Sequence, residues 1–294
     1  MPGLSISNGI TRLAPEKELE LIASHGFTHV HWSLHWSGDY LYSTPEIAHY
    51  ATMLKNSGML IQDLHAPCGC EKCFYAAEKF RRRAGVDMIL NRAELLAAMD
   101  VPQASLVVHI PNMNDIFYEH NIHDAIRAQY KNLRFSLDEL MERLPQYGNY
   151  RIAVENMPYD NFEIIRQLLD EYPADFLGLA FDSGHAHIGF ARGIEHAGNL
   201  SSRICALHIH DNDGVSDLHK IPFSGTSDMR QLAELIADSA FSGVLNLEVS
   251  VKNEMENCGN DINLFLKNCF ESGEKLAGIV NNCRNNPIKK GECK

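Results

Sequence analysis

Long apolar runs are absent from the sequence, and no segment sustains the roughly 20 apolar residues that cross a bilayer. The stretch from Met1 to Gly9 also has neither the basic nor the apolar segment of a secretion signal. The eight cysteines follow no evident disulfide framework for a chain of 294 residues, which agrees with a reducing compartment. We therefore expect a cytoplasmic protein that does not contact a membrane.

Positive charge is scarce as well. The 26 basic residues are outnumbered by 38 acidic ones, and the formal net charge is -12. A phosphate backbone is bound through clustered Lys and Arg, so this balance disfavours nucleic acid as a partner. The balance is only weak evidence, because net charge averages over the surface and bound cations reverse the local field at a site.

Two further features are missing. No linker rich in Gly, Ser or Pro divides the chain, and Ser5-Ile-Ser-Asn-Gly9 lacks the Gly-rich phosphate loop of doubly wound nucleotide-binding folds. We therefore expect a single domain that comprises residues 1–280. The polar stretch 281–294 is expected to form a C-terminal tail.

What the sequence does have is a regular alternation of two kinds of segment. Eight β-rich runs are each followed by a segment with helical spacing, which is typical of parallel βαβ units. The runs are 4–7, 28–33, 60–65, 105–109, 151–155, 177–182, 204–210 and 244–248. The alternation predicts an α/β fold, a closed (β/α)8 TIM barrel, whose active site would lie at the C-terminal ends of the strands.

Six of these runs end in side chains that bind metals. They are His65, His109, Glu155, Asp182, His210 and Glu248. Carboxylates that converge at one partly desolvated rim repel each other, and a divalent metal cofactor would remove this conflict. Mixed imidazole and carboxylate ligands suit Mn²⁺, Zn²⁺, Fe²⁺ or Co²⁺, with Mg²⁺ also retained, and the sequence does not choose among them.

The adjoining segments add further residues of these types. His185 follows Asp182 by one helical step, and Asp217 and His219 follow the seventh run. Three cysteines follow His65, where a thiolate site would lack a clear fourth ligand; they are Cys68, Cys70 and Cys73.

Several longer motifs resemble the xylose isomerase-like barrel superfamily, which includes sugar epimerases and isomerases and the endonuclease IV type of DNA-repair enzyme. The resemblance runs from about Leu4 to beyond Glu248. The motifs that carry it are Asp63-Leu-His-Ala-Pro67, Val154-Glu-Asn-Met-Pro158, Phe181-Asp-Ser-Gly-His-Ala-His187 and Leu207-His-Ile-His-Asp-Asn-Asp-Gly214. One departure is the segment after His219, where Ile221-Pro-Phe-Ser-Gly-Thr226 replaces the common Pro-Gly-Glu-Gly-like loop.

The resemblance implies different metal sites for the two branches. In the epimerase and isomerase branch it places one metal on Glu155, Asp182, His210 and Glu248, with His185 orienting the substrate. In the endonuclease branch three zinc ions are bound, and the similar residues here add His65, His109, His185, Asp217 and His219. The residues that follow Glu155 and Asp182 look like the sugar branch.

These features lead to a metal-dependent isomerase or epimerase of carbohydrate metabolism as the leading hypothesis. Glu155 and Glu248 would exchange a carbon-bound proton of a small sugar or polyol through an enediolate. Trp32 and Trp36 are the candidates for lining the sugar pocket, although both could simply pack. The alternatives are a multi-zinc phosphodiesterase and a sugar-binding protein without turnover, and formation of a homo-oligomer is left open.

Overall fold

The computed structural model describes residues 3–68, 71–111, 122–189 and 193–286, except for the side chains of 122–126. Cys70 lies outside these ranges. The strands are β1 (Leu4–Ser7), β2 (His29–His31), β3 (Asp63–His65), β4 (Gln103–His109), β5 (Asn149–Glu155), β6 (Leu177–Asp182), β7 (Ile204–His208) and β8 (Leu245–Leu247). The helices are α1 (Pro15–Ser24), α2 (Thr44–Ser57), α3 (Lys79–Ala98), α4 (Ile122–Arg143), α5 (Glu163–Glu171), α6 (Ser183–His187), α7 (Gly193–Gly198), α8 (Met229–Asp238), α9 (Val251–Glu254) and α10 (Ile262–Asn285).

All strand pairs are parallel, and the strands follow one another in chain order around the molecule. Strands β3 to β7 form one sheet, and β2, β1 and β8 form a second sheet. Parallel bridges from His29 to Leu60 and from Trp32 to Leu64 join the sheets on one side. A bridge from Ile209 to Leu247 joins them on the other side. The predicted TIM barrel is therefore confirmed.

The longer helices pack around the sheet through buried apolar side chains. In α5 the buried residues are Ile165, Leu168 and Leu169, which recur at helical spacing. The N-terminus of α2 is held by a capping box between Ser43 and Glu46, and this helix ends at Gly58 in the left-handed conformation. The main core lies between this ring of helices and the outer face of the strands.

A second, smaller apolar cluster occupies the inside of the barrel. It consists of Val107, Ala153, Ala180 and Ala206. Side chains two residues apart share one face of a strand, so His109, Glu155, Asp182 and His208 also face inwards, one step nearer the C-terminal ends. Small residues thus form a floor beneath a polar layer at these ends, which we call the mouth.

The last helix extends beyond the boundary indicated by composition. Helix α10 continues to Asn285, whereas the polar stretch begins at residue 281. The division into a barrel and a tail stays a prediction. Within the described ranges, none of the helices has both the length and the apolar character that crossing a membrane requires.

Candidate metal centre

Four ligand-type side chains meet at the centre of the mouth, and we call them the central group. They are Glu155, Asp182, His208 and Glu248, and one ligand atom from each lies within 4.8 Å of the others. They come from four consecutive strand ends, β5 to β8. Asp182 and His208 are direct neighbours in the register of β6 and β7, which brings them to one level of the barrel.

The two glutamates approach the same atom. Glu155 Oε1 lies 2.9 Å from His208 Nδ1, and Glu248 Oε2 lies 2.8 Å from it. Burial opposes the charged form of His208, yet Glu248 and Glu155 raise its pKa well above the usual value. Burial likewise opposes ionisation of Glu155, but His208 and the neighbouring histidines hold its pKa well below the usual value. These surroundings therefore favour ionised glutamates next to a positive charge.

A second set lies on the β3–β4 side, and we call it the β3–β4 group: His65, His109 and Glu155. Their ligand atoms also lie within 4.8 Å of one another. Glu155 Oε2 is 3.1 Å from His109 Nε2 and 3.6 Å from His65 Nε2, so Glu155 belongs to both groups. Burial opposes the charged form of His109, but contacts with Cys68 and Glu155 raise its pKa to about 10. Burial lowers the pKa of His65.

A third set, the loop group, consists of His185, His210, Asp217 and His219, again within 4.8 Å. Asp217 lies between two imidazoles, with Oδ2 3.3 Å from His185 Nε2 and Oδ1 3.3 Å from His219 Nε2. Burial opposes the charged forms of both histidines. Asp182 and Asp217 nevertheless raise the pKa of His185 to about 10, and Asp217 and Glu248 raise that of His219 to about 9. The rings of His210 and His219 stack with centroids 3.8 Å apart.

The loop that carries Asp217 and His219 is held by a buried carboxylate. Asp211 accepts hydrogen bonds from the backbone N–H groups of Asn212, Gly225 and Ser227. Its backbone also pairs with that of Lys220 in both directions. This anchoring places the loop over the β7 end, although its sequence departs from the segment common in the resembling family.

The strand ends themselves are joined by an amide side chain. Asn156 donates from Nδ2 to the carbonyl of Asp182, and its Oδ1 accepts from the Asp182 N–H, both at 2.9 Å. The Asp182 carboxylate then accepts the N–H of His185 at the start of α6. The same turn therefore sets the positions of one central-group residue and one loop-group residue.

The two tryptophans lie in different surroundings. Trp36 is 37% exposed, and its ring centroid lies 4.7 Å from that of His65, at the edge of the mouth. Trp32 is completely buried, donates to the Tyr42 hydroxyl and packs on Tyr50. Trp32 is therefore a core residue, which agrees with the alternative that it simply packs.

The placement of the histidines also differs from the sequence interpretation. His210 was expected to complete the set of Glu155, Asp182 and Glu248, but His208 is the histidine in that group. His210 lies in the loop group, with Nε2 3.0 Å from Asp182 Oδ1. The run 204–210 contains both histidines on one face, and β7 ends at His208, two residues earlier than expected.

Several buried ligand atoms in the mouth have no hydrogen-bond partner among the described residues. They include Glu155 Oε2, Glu248 Oε2, His208 Nε2 and His210 Nδ1. Buried polar atoms are normally satisfied, so these suit bonds to a bound ion or to water. The donors are carboxylate oxygens and imidazole nitrogens, which fit a divalent transition metal or zinc.

The closed parallel barrel, with polar side chains gathered at the C-terminal ends of its strands, defines the class of the protein as a TIM barrel. A family model described as xylose isomerase-like TIM barrel matches residues 19–269. The chain belongs to this family.

Individual proteins are similar to this chain over most of its length. The uncharacterized protein y4fM of Sinorhizobium fredii is 28% identical over 255 residues, which cover 78% of this chain and 79% of that protein. A D-tagatose 3-epimerase-like protein has a TM-score of 0.74 and 22% identity, covering 95% of this chain and 98% of the other. The IOLI protein, solved with a bound zinc atom, has a TM-score of 0.69 and 18% identity, covering 95% and 98%. The two solved structures show a shared fold.

Proposed function

We propose that the protein is a metal-dependent sugar isomerase or epimerase that moves a proton at a carbon next to a carbonyl group. The observation that carries this proposal is the pair Glu155 and Glu248, which extend from β5 and β8 to one atom of His208. Two carboxylates fixed on either side of a small substrate can remove a proton and return one.

A divalent cation would be held by Glu155, Asp182, His208 and Glu248, and when bound it would polarise the substrate carbonyl and acidify the adjacent C–H bond. One glutamate removes this proton as a general base. The other, protonated in its turn, delivers a proton to the same carbon from the opposite face in an epimerase, or to the neighbouring carbon in an isomerase. The described ion pairs of these two glutamates involve histidines alone, so no permanent cation competes for the carboxylates.

The rim of the mouth suits a sugar. The half-exposed ring of Trp36 offers a flat apolar face for the C–H side of a pyranose or an open-chain ketose. On the side of the loop group, the partly exposed carboxylate of Asp217 offers oxygen atoms that can accept hydrogen bonds from hydroxyl groups. That the D-tagatose 3-epimerase-like protein shares this fold supports a carbohydrate as the substrate class.

The experiment is deuterium exchange. Metal-loaded protein is incubated in D₂O with a panel of aldoses, ketoses and their phosphates, and the products are followed by NMR. We expect deuterium beside the carbonyl of one substrate, together with its epimer or isomer. Glu155→Gln and Glu248→Gln should each reduce exchange at least ~100-fold when enough metal is added to restore the metal content of wild type. His49→Gln, at a surface ion pair with Glu16, is the matched control. Full metal loading without exchange in any sugar would contradict the proposal.

A second candidate is supported by a separate observation. The β3–β4 group shares Glu155 with the central group, and the loop group adjoins it through Asp182, so the mouth can accommodate more than one ion. Metal ions bridged in this way support phosphodiester hydrolysis, in which they activate water and stabilise the leaving oxygen.

Metal stoichiometry separates the two candidates. One exchangeable ion per chain favours sugar chemistry. Three tightly held zinc ions, together with cleavage of DNA that contains an abasic site, favour the hydrolase. A sugar-binding protein without turnover would bind a sugar in the same panel but show neither exchange nor cleavage.

A further inference from the structure

The barrel interior contains a buried ion-pairing contact that neither proposed chemistry uses. His31 on β2 and Asp63 on β3 are both completely buried, and His31 Nδ1 lies 2.7 Å from Asp63 Oδ1. A carboxylate accepts only, so the ring nitrogen Nδ1 donates in this contact. Asp63 thereby fixes the ring orientation and directs the second nitrogen, Nε2, away from itself.

That second nitrogen has no described partner. His31 Nε2 is buried without a hydrogen bond. A ligand atom of His31 lies within 4.8 Å of ligand atoms of both His208 and Glu248, two members of the central group. The His31 ring also meets the His208 ring edge to face, with centroids 4.7 Å apart. His31 thus faces the central group from the side opposite the small-residue strands β4 to β7.

A core role alone accounts poorly for this arrangement. Burying a polar pair away from water costs free energy, and apolar residues of similar volume often give equal or greater stability. The neighbouring strands fill the same interior with Val107, Ala153, Ala180 and Ala206. Histidines that bind metals generally donate their other ring N–H to a carboxylate, which sets the tautomer and the ring angle. His31 and Asp63 already have this arrangement.

We propose that His31 Nε2 is a further ligand of the metal in the central group, and that Asp63 is the positioning residue that orients it. The inference rests on the proposed metal centre but not on sugar chemistry. The central ion would then have ligands from five strands, β2 and β5 to β8. Asp63 on β3 would orient the ligand on β2, His31.

The test uses the full-length protein with Co²⁺, whose visible absorption reports the number and type of its ligands. Metal-free wild type, His31→Gln and Asp63→Asn are titrated with Co²⁺ and compared with His29→Gln. The control removes the imidazole two residues earlier on the same strand, where Nδ1 contacts Thr28 Oγ1. We expect His31→Gln to alter the visible bands of the tightest site and to weaken Co²⁺ binding at least ~10-fold. Asp63→Asn should weaken binding by a smaller factor, and His29→Gln should match wild type.

A measurement on the unmutated chain covers the case in which these variants fail to fold. In ¹¹³Cd-loaded protein with ¹⁵N-labelled histidine, scalar coupling between cadmium and His31 Nε2 supports the inference. Absence of this coupling, or a folded His31→Gln variant with the spectrum and affinity of wild type, overturns it. If wild type binds no Co²⁺ at all, both this inference and the proposed metal centre are overturned, whereas an unchanged His31→Gln variant overturns the inference alone.

Discussion

Glu155 and Glu248 approach one nitrogen of His208, at 2.9 and 2.8 Å. An imidazole nitrogen carries a single hydrogen, which cannot point well at two carboxylates at once. Glu155 Oε1 accepts this hydrogen, and Glu248 Oε2 has no hydrogen-bond partner among the described residues. A cation bound between the three side chains would give this oxygen a partner.

Replacement of the two histidines at the end of β7 should have different effects. We expect His208→Gln to weaken Zn²⁺ binding at the tightest site more than ~100-fold, because it removes a central ligand, a larger loss than removal of a supporting residue causes. His210→Gln should leave this site occupied. Elemental analysis after dialysis against a zinc buffer measures both. Equal loss in the two variants would contradict the assignment of His208 to the central group.

Gly184 packs directly against the His210 ring. A Cβ added at Gly184 would lie 1.9 Å from His210 Cε1, so the ring must move. We expect Gly184→Ala to destabilise the fold by about 1–3 kcal/mol. It should also weaken the binding of an ion by the loop group, whereas binding by the central group should not change. The matched control is Gly198→Ala, where an added Cβ meets nothing within 4 Å. Thermal unfolding and metal counts, measured on both variants, test this expectation.

The pH dependence of the metal-free protein should report the contact between Asp217 and His219. Folding raises the pKa of His219 to about 9. The protonated His219 therefore contributes its full share of folding stability below its unfolded pKa, and this stability is lost as the pH rises through 9. The pKa of Asp217 is lowered, chiefly by His185 and His219 against the effect of burial, so its contribution is complete above its unfolded pKa and is lost in acid.

We therefore expect the gap in melting temperature between EDTA-treated wild type and Asp217→Asn to be largest near pH 5 to 6 and to shrink by pH 10. The gap should correspond to about 1 kcal/mol or less, because the Asp217 side chain is 39% exposed and solvent screens it. A gap that widens steadily from pH 6 to 10 would contradict the predicted direction of the pH dependence.

Replacement of Trp32 should affect the stability of the fold, whereas replacement of Trp36 should affect substrate binding. Trp32→Ala removes a completely buried ring and should cost about 3–5 kcal/mol of unfolding free energy. Trp36→Ala should leave the melting temperature within a few degrees of wild type and raise KM for the sugar identified by exchange, with a smaller change in kcat. Chemical denaturation and steady-state kinetics measure the two effects. An unchanged KM would remove Trp36 from the proposed pocket.

Much of the barrel could be predicted from the chain alone. Strands β1 and β6 begin and end where the β-rich runs of the sequence do, at Leu4–Ser7 and Leu177–Asp182. In β6 the run is nearly continuously apolar, as expected for a parallel strand covered on both faces, and this local signal is independent of its partners. The acids at the ends of β5, β6 and β8 follow from the same runs, since parallel strands in a barrel end at one rim.

Which side chains lie together in one group was decided by the tertiary structure. His208 and His210 are alike in sequence, and only the pairing of β7 with β6 and β8 sets His208 level with Asp182. Trp32 and Trp36 likewise differ through packing, because one lies beneath α2 and the other at the rim. The sequence by itself determined the strands, their order and the kinds of atoms at the mouth, since these depend on local pattern. The grouping of those atoms, including His31 with Asp63, depends on strand register and barrel closure, which arise only when distant segments pack together.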